Sequence, residues 1–353
     1  MNTRSSAYVL SESEYEEWDR FVSTSPLGSV YSTTKYLRTL CSVTGGTFRI
    51  LAVRKGDELA GGVGLYEVKC PFGTYVTPRL LLYYNGIVLR DYQTRYPSQR
   101  TSRLLETMEG IERGVRGCGY ARIVLRNQSA FADARIFLDN GWSALPTYTY
   151  VVPLADLAVL WNKLEQNLRR LINRCHQGSI QFTEDDDFGS FYSMHTQTAE
   201  RKGASLYLPD ESFRGYFDSL RAQGLCKLYH ARMPSGRSIA SQLVLLGSHP
   251  CAHTVSAAAE REFHNLGANA FLRWKVFEAL SRMGYAANDL TDAALGPVTH
   301  FKSQLGGELT LCLALQGPEM PLFRAYRAGR DLMRLGRRSI GKVKRMRLGR
   351  KGT

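Results

Sequence analysis

Residues 225–247 read LCKLYHARMPSGRSIASQLVLLG, two apolar, strand-like runs around Pro234-Ser235-Gly236, the sequence signature of a β-hairpin. Residues 48–68, FRILAVRKGDELAGGVGLYEV, do the same around Lys55-Gly56-Asp57. The segments after the two hairpins match as well. After the earlier one come a third apolar strand, LLLYYNGIVL at 80–89, and a helix from Arg100 to Arg116 with Leu104, Met108, Ile111 and Val115 on one stripe. Strand ARIVLR then follows the Gly117–Gly119 break. After the later hairpin come strand CAHTVSAAAE, helix NAFLRWKVFEALSRMG with Leu272, Val276, Leu280 and Met283 on one side, and strand AANDL.

Helices lead into each hairpin. EYEEWDRFV places Trp18, Phe21 and Val22 together before the first. WNKLEQNLRRLINRC, FYSMHTQTAERKG and ESFRGYFDSLRAQG precede the second, the first of these reading as one helix with Trp161, Leu164, Leu168 and Leu171 on one face. Strand LTLCLAL at 309–315 closes the set. The repeated order predicts an α/β (α+β) chain of two domains, 1–153 and 154–320. Each is expected to have its own mixed, mostly antiparallel sheet flanked by helices, and residues 321–353 form a tail.

The chain has 353 residues, 44% of them hydrophobic and 22% charged, which is ordinary globular composition. The seven cysteines stand singly, without a CxxC pair, and the seven histidines form no HExxH pattern. A reduced, metal-free, cytoplasmic protein is the expectation, and the polar, acidic first residues do not read as a signal peptide. The net charge of +14 is concentrated in 321–353, where 12 Lys and Arg meet one acid, Asp331. That segment interleaves its cations with Leu, Phe, Tyr, Met, Ile and Val. It reads as a basic amphipathic or disordered tail for an anionic membrane surface, for RNA, or for solubility alone.

In order, EWDRFVSTSPLGSVYSTTKYLRTL (17–40), GWSALPTYTYVVPLADLAVLWNKLEQNLRRLINRCHQGSIQ (141–181), AERKG (199–203), NDLTD (288–292) and HFKSQLGG (300–307) resemble the FemAB-like acyltransferases. That family is built of two tandem GNAT-like domains, and the resemblance runs from about Glu14 to Leu315. It implies two such domains here and an N-acyltransferase reaction. Phe301 and Lys302 match the family's Phe-Lys pair, whose lysine faces the reacting carbonyl. An amine attacking an ester or thioester builds an oxyanion, which a pre-placed cation in a dry cleft stabilises. A solvated surface lysine is the alternative reading.

Asp289 matches the end of the family's Tyr-Asp-Leu strand, where it orients substrate or Lys302, or only caps the next segment. Tyr36 and Arg38 match an aromatic and a cation that bind nucleotide-sugar phosphate in relatives, and a plain surface arginine reads equally well. Glu200 and Arg201 match a helix end, with a structural ion pair as the alternative, and Tyr207 is read as a further substrate contact.

Two positions depart from the family. Asn127 and Gln128 stand where bridge-forming ligases carry an aspartate base, and neither accepts a proton at neutral pH. The neutral run Ser205-Leu206-Tyr207-Leu208 replaces a phosphate-binding arginine.

Gly267, Ala268 and Asn269 open a helix after a strand, an approximation to the GNAT loop that holds the pyrophosphate of acyl-CoA on backbone N–H groups. An ordinary glycine in a helix-entry turn explains them as well. The expected co-substrate is acyl-CoA, donating an acyl group, by preference acetyl, to an amino group of an amino-sugar, polysaccharide or lipid-linked cell-envelope precursor. The alternatives are aminoacyl-tRNA as donor in peptidoglycan bridge formation, and a catalytically inactive GNAT-like binding protein.

Overall fold

The computed structural model describes residues 6–78, 81–202 and 208–329. Its strands are β1 (Ala7–Val9), β2 (Thr47–Lys55), β3 (Glu58–Cys70), β4 (Gly73–Val76), β5 (Ile87–Leu89), β6 (Arg122–Arg126) and β7 (Ser143–Pro153), then β8 (Gln181–Glu184), β9 (Cys226–Arg232), β10 (Ser238–Leu245), β11 (Cys251–Ala259), β12 (Ala287–Asp289) and β13 (Glu308–Gln316). The helices are α1 (Tyr15–Thr24), α2 (Thr34–Thr44), α3 (Pro97–Gly117), α4 (Arg135–Asp139) and α5 (Leu157–Lys163), then α6 (Gln166–Gln177), α7 (Phe188–Lys202), α8 (Asp210–Ala222), α9 (Ala268–Arg282) and α10 (Pro297–Ser303).

Both hairpins form where their turns place them, β2–β3 around Gly56 at φ +62° and β9–β10 around Gly236 at φ +85°. Only glycine takes such φ values at little cost, which is why these turns are legible locally.

The expected pair of separate sheets is corrected to one. All the strands belong to a 13-stranded mixed sheet in the order β1-β2-β3-β4-β6-β13-β7-β12-β11-β10-β9-β8, with β5 alongside β3. The cause is β13. This last strand of the second half pairs with β6 on one side and along its whole length with β7 on the other. β7 in turn pairs with β12. Strand edges that two separate sheets would expose are thereby hydrogen-bonded. Two parallel pairings occur among the described strands, β4–β6 over two residue pairs and β11–β12 over three. Both end within a few residues.

The halves also share a core. Trp18, Tyr36 and Leu37 of the first pack in one cluster with Phe188, Phe213, Tyr216 and Leu243 of the second. The Tyr36 hydroxyl donates to the Leu81 carbonyl at 2.8 Å and shares a 3.1 Å hydrogen bond with the Tyr216 hydroxyl. Hydroxyls buried this deeply need such partners.

Three local expectations change. Among the described residues of 80–89, the 81–89 stretch, only β5 is a strand element. The Asn85 side chain instead bridges the Val124 carbonyl and the Arg126 N–H, at 2.9 and 2.8 Å, and takes the chain off the ladder. The single helix expected over 161–175 breaks into α5 and α6, with Leu164 extended and the Glu165 N–H donating to the Gln304 carbonyl at 3.1 Å. The buried face is then Leu160, Leu164, Leu168, Ile172 and Cys175, while Trp161 and Leu171 are half-buried. Finally, the first part of the expected tail, 321–329, is helical and docks on the body. Phe323 lies against Tyr75 and Tyr326 against Phe72, and Arg327 pairs with Glu319 at 3.1 Å. The rest of the tail, 330–353, lies outside the described residues.

Candidate active site

α10 starts with Pro297 in its first turn, where a missing N–H costs nothing. It carries Lys302 inward, leaving the side chain nearly buried. Lys302 Nζ donates to the carbonyls of Thr291 and Asp292, the latter at 2.6 Å. Those two residues have φ of +47° and +56°, a left-handed pair of non-glycine residues. Such backbone is strained and persists only where its surroundings hold it.

Asp289, at the end of β12, holds the same turn by accepting the Thr291 N–H at 2.7 Å, and the Thr291 hydroxyl donates to the Thr254 carbonyl at 2.8 Å. The structure therefore brings Lys302 and Asp289 together on one turn. Burial, joined by the Arg273 charge, pushes the Lys302 ammonium down to about 8, and the carboxylates of Asp292 and Asp289 offset part of this.

Asp289 is fully enclosed. The Tyr84 hydroxyl donates to its Oδ2 at 2.7 Å, the Thr149 hydroxyl donates to its Oδ1, and His253 Nδ1 stands 3.6 Å from Oδ2. Burial alone would raise its carboxyl, but His253, Thr149 and Tyr84 outweigh burial and hold it below its ordinary value. His253 is buried, with its ring edge-on to Tyr31 at 4.9 Å, and neither ring nitrogen has a hydrogen-bond partner among the described residues. A cavity of about 250 Å³ reaches Asp289, Tyr84 and Thr149 from the side of Cys251 and His249.

Sequence reasoning missed His253, Tyr84, Thr149 and Arg273. The register His253↔Asp289 between β11 and β12 is what aligns the first, and no local pattern announces it. Arg273 left a signal, as a cation on the apolar side of α9. It is buried, its Nε and Nη1 have no partner among the described residues, and burial pushes it down to about 10.

The other expected residues lie elsewhere or do structural work. Phe301 is half-buried against the core of the second half. Tyr36 belongs to the shared core, and Arg38 is exposed, 3.7 Å from Glu12. Glu200 and Arg201 are exposed at the end of α7, and Arg201 donates to the Thr198 hydroxyl at 3.3 Å. Tyr207 lies outside the described residues.

Gly267 has φ +93°, and its N–H donates to the His264 carbonyl at 3.1 Å. A Cβ there would stand 2.5 Å from that of Leu171, so α6 packs directly on the entry to α9. Ala268 is buried and Asn269 half-buried.

Of the two departures from the family, Ser205, Leu206 and Tyr207 lie outside the described residues, and Asn127 and Gln128 are anchors. Asn127 Oδ1 accepts the Ile87 N–H at 2.8 Å and its Nδ2 donates to the Leu313 carbonyl at 3.2 Å, while Gln128 Nε2 donates to the Gly28 carbonyl at 2.8 Å. Elsewhere Asp185, Asp187 and His230 converge, but Arg232 donates to both carboxylates at 2.9 Å, so an arginine meets their charge.

A second, wider cavity of about 770 Å³ opens beyond the β4–β6 pairing and reaches Asp292. Arg126 lies in its wall, with Nη2 3.4 Å from Asp292 Oδ1 and its guanidinium 6.0 Å from the centre of the Tyr84 ring.

Residues 162–303 match the family model described as an acetyltransferase (GNAT) domain. The fold and that match define the chain as an acyltransferase built on the GNAT fold. More particularly, its architecture is similar to that of FemX, with 15% identity and a TM-score of 0.71 over 90% of this chain and 99% of that one. It is also similar to L-PGS from Bacillus licheniformis, with 11% identity and a TM-score of 0.54 over 87% and 94% of the two chains. A tandem GNAT protein from the clavulanic acid biosynthesis pathway gives 11% and 0.51 over 89% and 99%. No curated protein matches the sequence. Among the described residues no helix is long and apolar enough to cross a membrane.

Proposed function

We propose that the chain transfers an acyl group from an activated thioester or ester to an amino group of a cell-envelope or polysaccharide precursor, with Lys302 at the reacting carbonyl. The observation that carries this reading is the nearly buried Lys302 on the strained Thr291–Asp292 turn beside Asp289. An ammonium has three N–H donors, and two are committed to backbone carbonyls, so one remains for a ligand.

The neutral amine attacks the acyl carbon, forming the C–N bond and moving the carbonyl electrons onto oxygen. Lys302 stabilises that oxyanion. Its collapse breaks the bond to the donor's sulfur or oxygen, and the leaving group takes up the proton lost by the amine. Asp289 accepts hydrogen bonds throughout and fixes the turn, a positioning role.

Acyl-CoA is the first donor reading and rests on the GNAT domain match over 162–303. Aminoacyl-tRNA is the second. The packing of Leu171 on Gly267 favours it, because that contact crowds the helix entry where a pyrophosphate would sit. The basic tail fits either an anionic membrane carrying the acceptor or the RNA of such a donor.

The test combines a thermal-shift panel of acyl-CoAs and UDP-linked amino sugars with transfer assays using either donor class. Thiol release that depends on an amino acceptor and is lost in Lys302→Ala supports the acyl-CoA reading. Transfer only from aminoacyl-tRNA moves the assignment to the second. No transfer from either class, with no stabilisation by any donor, removes the enzymatic reading.

A further inference from the structure

Arg126 is the last residue of β6, in the first half of the chain, and both of its backbone groups are fixed. Its N–H donates to Asn85 Oδ1 at 2.8 Å, and its carbonyl accepts the Asn85 N–H at 3.2 Å. The side chain is mostly buried, and its Nε has no hydrogen-bond partner among the described residues. From there it meets two side chains. Nη2 donates to Asp292 Oδ1 at 3.4 Å, and the guanidinium lies over Tyr84, 6.0 Å from the ring centre.

Both lead to the turn that holds Lys302. The Asp292 carbonyl accepts from Lys302 Nζ at 2.6 Å. The Tyr84 hydroxyl donates to Asp289 Oδ2 at 2.7 Å, and Asp289 Oδ1 accepts the Thr291 N–H at 2.7 Å. The Thr291 carbonyl is the second acceptor of Lys302 Nζ. Thr291 and Asp292 are both left-handed, backbone that persists only under such restraint.

We propose that Arg126 is a positioning residue for Lys302, pinning the Thr291–Asp292 turn from the first half of the chain and facing Asp292 with a cation. Its catalytic consequence rests on the acyl-transfer reading above, but the positioning itself does not. The charged groups that act on Lys302 are Arg273 of α9, Asp292 of the turn, Asp289 of β12 and Arg126 of β6. Loss of Arg126 removes a cation and leaves the Asp292 carboxylate unpaired, so the ammonium persists to higher pH. Loss of the Asp292 carboxylate leaves Arg126 unopposed, so the ammonium is given up at lower pH. A residue that merely braced the fold would give both changes the same sign, since loosening admits water in either case.

The test compares Arg126→Gln, Asp292→Asn and the double variant with the wild type. The Asp292 side chain is exposed and asparagine adopts left-handed backbone readily, so Asp292→Asn does not endanger folding. The first measurement needs no substrate. Folding stability rises with pH between the folded Lys302 value of about 8 and the ordinary lysine value. The rise in urea midpoint from pH 7 to 10 should shrink in Arg126→Gln, where that window narrows. It should grow in Asp292→Asn, where the window widens, and the double variant should fall between them. The second measurement is the alkaline limb of kcat, with whichever donor class supports transfer. It should move up by about one pH unit in Arg126→Gln and down by a similar amount in Asp292→Asn. Opposite changes in the urea midpoints with a kcat limb that does not follow uphold the positioning role and count against Lys302 as the oxyanion's cation. The proposal is overturned if the rise in urea midpoint changes in the same direction in both single variants, or is unchanged in Asp292→Asn.

Discussion

The charge on Lys302 is set by its surroundings, and this gives the proposed chemistry a pH signature. With its value pushed to about 8, the ammonium is present at pH 7 and is lost as pH rises through that value. If it stabilises an oxyanion, kcat should fall on the alkaline side near pH 8. Lys302→Arg should move that limb upward, because a guanidinium stays charged. Lys302→Ala should lower kcat by about 10²–10³-fold and change KM much less, as expected for an interaction made mainly in the transition state.

The same residue should mark stability. Between about 8 and the ordinary lysine value the unfolded chain holds the proton and the folded one does not, so folding stability rises with pH across that window. Urea midpoints at pH 7 and 10 should show this rise in the wild type and lose much of it in Lys302→Met. Asn127→Asp removes the Nδ2 donor to the Leu125 and Leu313 carbonyls and sets a buried carboxylate against their oxygens, while the Asn127 N–H still holds the Leu313 carbonyl at 2.9 Å. It should cost about 1–3 kcal/mol in chemical denaturation without creating a base that raises kcat. Phe301-Lys302 was legible because a short motif carries it. His253 was not, because only strand pairing places it opposite Asp289.

Among the elements, the two hairpins and α9 were legible because alternation, helical period and turn residues are local properties. The break between α5 and α6 was not. It depends on Glu165 finding the Gln304 carbonyl, a partner far along the chain. The irregular path over 81–86 depends in the same way on the bridge from Asn85 to β6. The entry to α9 offers a test of packing at this scale. Gly267→Ala requires a left-handed alanine and a Cβ 2.5 Å from that of Leu171. The expected loss is about 2–3 kcal/mol, read from the urea midpoint, because strain and overpacking act together. Leu171→Ala in the same chain should recover little of the loss, since alanine keeps the Cβ that makes the contact and the φ value is unchanged.

At the scale of the whole molecule, the doubled order of elements was visible in the sequence but its union into one sheet was not, since nothing local tells β13 to leave its own half's edge. Expressed alone, residues 1–153 lack β13 between β6 and β7, and residues 154–353 lack β7 between β13 and β12. Neither piece should show a cooperative unfolding transition by circular dichroism, whereas the two co-expressed should copurify and unfold as one. The position of β13 also bears on synthesis. Ala314 pairs with Arg126, so the strand that completes the middle of the sheet is made after almost everything it joins. While the nascent chain is still growing, β6 and β7 present bare hydrogen-bonding edges, the feature that draws unfinished chains to one another. Crowded overexpression should therefore trap this protein as aggregate before it traps the finished fold, and slower translation or a holding chaperone should raise the yield of native chain.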